Sequence, residues 1–139
     1  MYKRQDKELS GRYAETRPYE HAIYVKESVY DAAIRGGGQA RMILAHELAH
    51  YLYHSPREIS FAYVNRNERL DSNVDPERQA DIFAAEFLAP SGELRGLSVS
   101  DVQRKFGVSA LAAKNQLRQA SNIARRHASK KKRRSGPKA

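Results

Sequence analysis

The eleven residues Met42-Ile43-Leu44-Ala45-His46-Glu47-Leu48-Ala49-His50-Tyr51-Leu52 form an apolar run broken by two histidines and one glutamate. The run predicts a helix, on which residues four apart stand one turn above each other, so the imidazoles of His46 and His50 can converge on one point. Glu47 is rotated by about 100° from His46 and reaches the edge of that point without occupying it. A helix that buries Ile43, Leu44, Leu48 and Leu52 must also enclose His46 and His50. Two imidazoles and a carboxylate in apolar surroundings are costly unless something satisfies them, and a divalent metal does so. The H-E-x-x-H spacing is one in which two histidines hold zinc and the glutamate acts as base on the attacking water. Chance alone produces it in roughly one chain in a hundred of this composition, so a second motif has to decide.

The helix is expected over about Gln39 to Tyr53, stopped by Ser55-Pro56. His54 continues the i, i+4 series, but on a straight helix the outer histidines are about 12 Å apart along the axis and cannot share one ion with His50. The chain has no cysteine. That excludes disulfides, a thiol nucleophile and thiolate ligands, and leaves a metal site to His, Asp and Glu. A two-histidine zinc site needs a third protein ligand, with the fourth position left for water. Asp71, Asp75, Glu77, Asp81 and Glu86 are the later candidates. Asp75-Pro76-Glu77 opens a helix with a good N-cap, a proline at the first position and an acid in the first turn. Glu77 is favoured because Asp81, four residues on, can accept the free N–H of a ligating imidazole, fixing its tautomer. The competing reading makes Glu77 a first-turn dipole residue and Asp81 a solvated charge; the mostly apolar sequence after Ala80 weakens it.

Two segments, Ala45-His46-Glu47-Leu48-Ala49-His50-Tyr51-Leu52-Tyr53-His54 and Glu77-Arg78-Gln79-Ala80-Asp81-Ile82-Phe83-Ala84-Ala85-Glu86-Phe87-Leu88-Ala89-Pro90, together resemble the ImmA/IrrE-type zinc metallopeptidases. The helix of that family reads A-H-E-L-G-H, and its second motif reads approximately E-x-x-A-[ND]-x-F-A-A-x-L-L-M-P. The resemblance implies a minimal zincin-like core in which His46, His50 and Glu77 ligate Zn2+ and Glu47 is the base. It also implies a zinc-dependent endopeptidase acting on a protein, typically a helix-turn-helix repressor whose cleavage derepresses phage, mobile-element or stress genes. Ala49 replaces the usual glycine, and Phe87 and Ala89 replace leucine and methionine. Gly36-Gly37-Gly38-Gln39-Ala40 stands where the family has an arginine- and phenylalanine-containing helix start.

Elsewhere, residues 1–20 are polar, with Gly11 and Pro18 as breakers, and read as a loose or partly helical lead-in. His21-Ala22-Ile23-Tyr24-Val25-Lys26 has the content of a short strand, with His21 at its surface. Ser28 to Arg35 reads as a short helix, and Gly36-Gly37-Gly38 as a flexible connector rather than a phosphate loop. Ile59, Phe61 and Tyr63 alternate in a strand pattern over 58–64, suited to a core strand or to pairing with an extended substrate. Ser98 to Ser109, followed by a helix over about Ala110 to Ala124, has a helix-turn-helix rhythm. The expected fold is α+β and mainly helical: a metallopeptidase core over 1–93 with a small β-sheet, a helix-turn-helix-like pair over 94–124 packed on it, and a basic, disordered tail over 125–139.

The net charge of +9 is concentrated in that tail. Eight basic residues follow Ala124, and without them residues 1–124, which carry all sixteen acidic residues, have a net charge of +1. The tail is expected to offer weak, non-specific contact to nucleic acid, with His127 not a ligand. A rival reading is a non-catalytic zincin-like regulator that binds DNA or a protein partner through the C-terminal helices and tail. Without an apolar leader or a run of about 20 apolar residues, the chain is expected to be soluble and cytoplasmic. No G-x-S-x-G, Walker or dinucleotide pattern is present. Tyr53, Tyr63, His54 and several arginines remain open as the donor that would stabilise an oxyanion.

Overall fold

The computed structural model describes residues 2–4, 9, 11–53 and 75–134. A three-stranded sheet is formed by β1 (Tyr2–Arg4), β2 (Ala14–Arg17) and β3 (Ala22–Val25) in the order β1-β3-β2. The central strand β3 runs parallel to β1 and antiparallel to β2, with Thr16 opposite Ile23. Ala22, Ile23 and Val25 are fully buried, as suits a central strand rich in β-branched residues. The lead-in expected to be loose or helical therefore holds two strands and a 3-10 turn at Pro18–Glu20. Ala14-Glu15-Thr16-Arg17 has little strand propensity of its own; it is extended because β3 offers a ladder to pair with.

Helix α1 (Glu27–Ile34) and helix α2 (Gly38–Tyr53) cover the sheet. Ile43, Leu44, Leu48 and Tyr51 of α2 pack on a core of Ala14, Ile23, Val25, Val29 and Ala40. The other side of α2 meets helix α3 (Pro76–Leu88), the most extensive contact between any two elements. Ala45 and Ala49 of α2 and Ala80 and Ala84 of α3 are buried, and each pair is spaced i, i+4 on its helix. Side chains this small let two helix axes approach closely. The start of α3 follows its sequence signals: Asp75 caps it by accepting the Glu77 N–H at 3.0 Å, with Pro76 at the first position.

A second core forms beyond Pro90. Helix α4 (Val99–Phe106) begins with a capping box, Ser98 and Asp101 bonding each other's backbone N–H. It ends at Gly107, whose φ of 63° is the left-handed conformation glycine takes without strain. Helix α5 (Ala110–Arg134) follows. Ala89, Leu94, Val102, Val108 and Ala113 are enclosed together, with Leu88, Phe106, Leu117 and Ala120 around them. The guanidinium of Arg41 on α2 donates to the carbonyls of Phe106 and Gly107, at 2.9 and 3.0 Å, pinning the α4–α5 turn to the start of the histidine helix.

Two expectations change. Two of the three glycines are close-packing points rather than a loose connector: a Cβ on Gly38 would come within 2.5 Å of the Ser109 nitrogen, and one on Gly37 within 2.8 Å of the Ala32 carbonyl oxygen, while Gly36 takes a left-handed φ of 88° with open space around it. Helix α5 continues ten residues past Ala124, through the stretch expected to be a disordered tail. Lysine and arginine are good helix formers, and cations suit a helix C-terminus. No helix among the described residues is long and apolar enough to cross a membrane. The strand expected over 58–64, together with Ser55-Pro56, lies outside the described residues.

Gly38→Ala separates these readings of the glycines. Helix propensity alone would make alanine neutral or stabilising at this position. Overlap with the Val108–Ser109 backbone should instead cost about 1–3 kcal/mol, read as a lowered midpoint in thermal or urea unfolding.

Candidate metal centre

The first turn of α3 lies across the middle of α2, and this crossing brings the two sequence motifs together. The Nε2 atoms of His46 and His50 are 3.0 Å apart. One carboxylate oxygen of Glu77 is 3.3 Å from His46 Nε2, and the other is 3.3 Å from His50 Nε2. Zinc–nitrogen and zinc–oxygen bonds of about 2.0–2.2 Å place neighbouring ligand atoms of a tetrahedron about 3.3–3.5 Å apart. Each imidazole thus stands at about that separation from one oxygen of the Glu77 carboxylate, and one ligand atom from each of the three residues lies within 4.8 Å of the others. Among the described residues, His46, His50 and Glu77 are a group that could hold a metal ion. The donor set, two neutral imidazoles and one carboxylate, suits zinc with a fourth position open.

Asp81 takes the position the i, i+4 spacing gave it. Its carboxylate is 2.8 Å from His46 Nδ1, where it accepts that N–H and leaves Nε2 as the ring nitrogen that would ligate a metal. His50 is buried, whereas two thirds of the Glu77 and Asp81 side-chain surface is open, so the cluster has a closed floor and an accessible side. The remaining candidates have other work. Asp75 caps α3. Glu86 accepts from the backbone and hydroxyl of Ser91 and from the Gln116 amide. His21 and His127 are exposed; His54 and Asp71 lie outside the described residues. Of the suggested oxyanion donors, Tyr53 packs its ring edge-on to Phe83 at 5.5 Å, and Tyr63 is not among the described residues.

Glu47 leaves α2 on the sheet side, and its environment comes from a part of the chain in which the sequence shows no function. The Thr16 hydroxyl on β2 lies 2.6 Å from a Glu47 carboxylate oxygen and 2.8 Å from the Glu47 carbonyl. Tyr2 on β1 donates to the Leu44 carbonyl at 3.1 Å. Burial, and then the Glu47 charge, push the Tyr2 phenol above its ordinary pKa. No signal in the sequence marks Thr16 or Tyr2, because sheet register alone brings them to α2.

The cluster is electrostatically tense without a cation. Burial, the largest single influence on His46, lowers its pKa, but hydrogen bonds from Asp81 and Glu77 and their charges outweigh it, and the imidazole is pushed up to about 10. The Glu77 carboxyl is held far below the usual carboxylate range, first by its hydrogen bonds to His46 and His50 and against the opposing effect of burial. A proton on His46 therefore occupies the place in the charge balance that a metal ion would take.

A comparison with protein families matches residues 37–118, more than half of the chain, to the IrrE N-terminal-like domain, peptidase M78. The matched span contains the whole of α2 and α3 and the turn between α4 and α5. No curated protein and no solved structure gives a significant match.

A metal ion must displace the His46 proton to bind. The folded-state pKa lies above the ordinary histidine value, so the protonated imidazole stabilises the metal-free protein fully below about pH 6.5, and that contribution is lost as pH rises through about 10. Metal affinity should move the opposite way. Apparent Zn2+ affinity, measured by competition with a chromophoric chelator, is expected to rise about tenfold per pH unit between pH 6.5 and 9, with about one proton released per ion bound.

Proposed function

This chain belongs to the IrrE N-terminal-like metallopeptidase family, peptidase M78, and from that membership we propose that it is a zinc-dependent endopeptidase in which Glu47 is the general base. The observation that carries this reading is the meeting of His46, His50 and Glu77, with one ligand atom from each within 4.8 Å of the others and Glu47 one residue along the same helix. When bound there, zinc supplies Lewis acidity that polarises a scissile carbonyl and makes water a nucleophile near neutral pH. The protein's own groups do the rest. Asp81 fixes the His46 tautomer, so that Nε2 faces the site. Glu47 takes a proton from the attacking water and passes it to the leaving amine, which requires an unprotonated carboxylate held in one orientation. Thr16, hydrogen-bonded to that carboxylate, positions it.

The substrate we propose is a protein, in keeping with the family, and specifically a helix-turn-helix repressor whose cleavage releases phage, mobile-element or stress genes. The exposed sides of Glu77 and Asp81 support an extended chain reaching the centre from solvent.

Zinc should be present at about one ion per chain and be lost in His46→Ala. Glu47→Gln should retain the zinc and lower cleavage of a co-expressed repressor by about a hundredfold or more, read as fragments by mass spectrometry. Full cleavage by Glu47→Gln would remove Glu47 from the mechanism.

Thr16→Val keeps the shape of the side chain and removes its hydroxyl. Turnover should fall by about tenfold with zinc content and folding unchanged, whereas Thr16→Ser should restore most of it. An effect confined to thermal stability would make Thr16 purely structural.

A further inference from the structure

Helix α5 carries charge that neither the cores nor the metal centre uses. The last acidic residue of the chain is Asp101, and α5 has nine basic residues and no acidic one. Ala113 and Gln116 are buried, with Leu117 and Ala120 against the second core. From Ala124 to Arg134 every residue is exposed. None of these residues belongs to either apolar core.

Four of the nine cations share one face of the helix. Lys114, Arg118, Arg125 and Lys132, all exposed, follow one another at spacings of four, seven and seven residues. At 100° per residue they fall within about 40° of arc and extend along about 27 Å of helix, turned away from Ala113 and Ala120. We propose that this face of α5 docks on the phosphate backbone of duplex DNA without sequence selection.

The chemistry of the face selects this partner over others. Its length is somewhat less than one turn of B-form DNA, about 34 Å, whose major groove admits a helix. The major groove of duplex RNA is too narrow for that approach. No aromatic side chain lies on α5 to stack single-stranded bases. A helix lying in a membrane surface needs large apolar residues opposite its cations, and none follows Ile123. Phosphates would also relieve repulsion between Lys114 and Arg118, like charges one turn apart on this face. This inference does not rest on peptidase activity.

The test uses the full chain and a short, fluorescently labelled DNA duplex of mixed sequence, followed by anisotropy at increasing salt. With four phosphates neutralised, the slope of log affinity against log salt should be about −3.6 or steeper. Replacing Lys114, Arg118, Arg125 and Lys132 together by glutamine, a good helix former, should weaken binding at least about tenfold and flatten that slope by about three to four. Replacing Arg126, Lys130, Lys131 and Arg134, which stand about 80° or more around the helix from that face, removes equal charge and should weaken binding less than about threefold. Unchanged circular dichroism and zinc content verify that each variant is folded. Equal losses from the two sets would overturn the inference in favour of bulk charge attraction. So would a wild-type slope shallower than about −2, absence of duplex binding, or tighter binding to single strands, duplex RNA or phosphatidylserine vesicles.

Discussion

The candidate metal centre depends on how closely two helices can lie. His46 and His50 come from α2 and Glu77 from α3, and a glutamate can reach both imidazoles only if the helices are near enough to remove intervening side chains. Alanine at 45 and 49 on one helix and at 80 and 84 on the other removes them. A leucine at any of these positions would push the helices apart, and the 3.3 Å separations from Glu77 would be lost before any ligand was touched. The small residues flanking the ligands therefore have as direct a part in the site as the ligands themselves. Ala49, which stands where the family has glycine, is still small enough to be fully enclosed.

Each face of α2 holds a different part of the chemistry. The apolar face packs on the sheet and fixes the rotation of the helix; the histidine face meets α3. Glu47 lies between them, where Thr16 reaches it from an edge strand. A small rotation of α2 would lose both the Thr16 contact and the alignment with Glu77, so sheet packing and metal geometry constrain the same degree of freedom. Arg41 adds a third restraint by tying the first turn of α2 to the α4–α5 turn.

How much of this was legible in the sequence follows from how local each feature is. Glu77 and Asp81 can be read because cap, proline and both acids lie within seven residues of one helix, and i, i+4 spacing places them on one face. The helix-turn-helix rhythm from Ser98 to Ala124 can be read for the same reason. Thr16 lies 31 residues from Glu47 and Tyr2 lies 42 residues from Leu44. Only the register of β2 and β1 on β3 brings them to α2, and no periodicity encodes that register. The glycines before α2 suggest flexibility because their composition is visible, whereas the Val108–Ser109 backbone that Gly38 admits is seventy residues away in sequence. The far end of α5 lacks apolar periodicity, the main signal of a helix, and is helical through propensity and its continuity with a packed first half.

The charge balance of the site links metal binding to folding. Crossing α3 over α2 places two carboxylates, Glu77 and Asp81, beside two imidazoles, and something positive must sit among them for the crossing to be favourable. Without metal that charge is a proton on His46, whose pKa is pushed up to about 10. A proton satisfies one nitrogen and leaves the 3.0 Å contact between the two Nε2 atoms to share what remains. A divalent ion satisfies three donors at once and requires no such sharing. Metal binding at His46, His50 and Glu77 would thus exchange one cation for another among residues the fold has already brought together. The energy it adds strengthens the α2–α3 crossing in particular, while the sheet and the second core rest on apolar contacts that do not involve the ion.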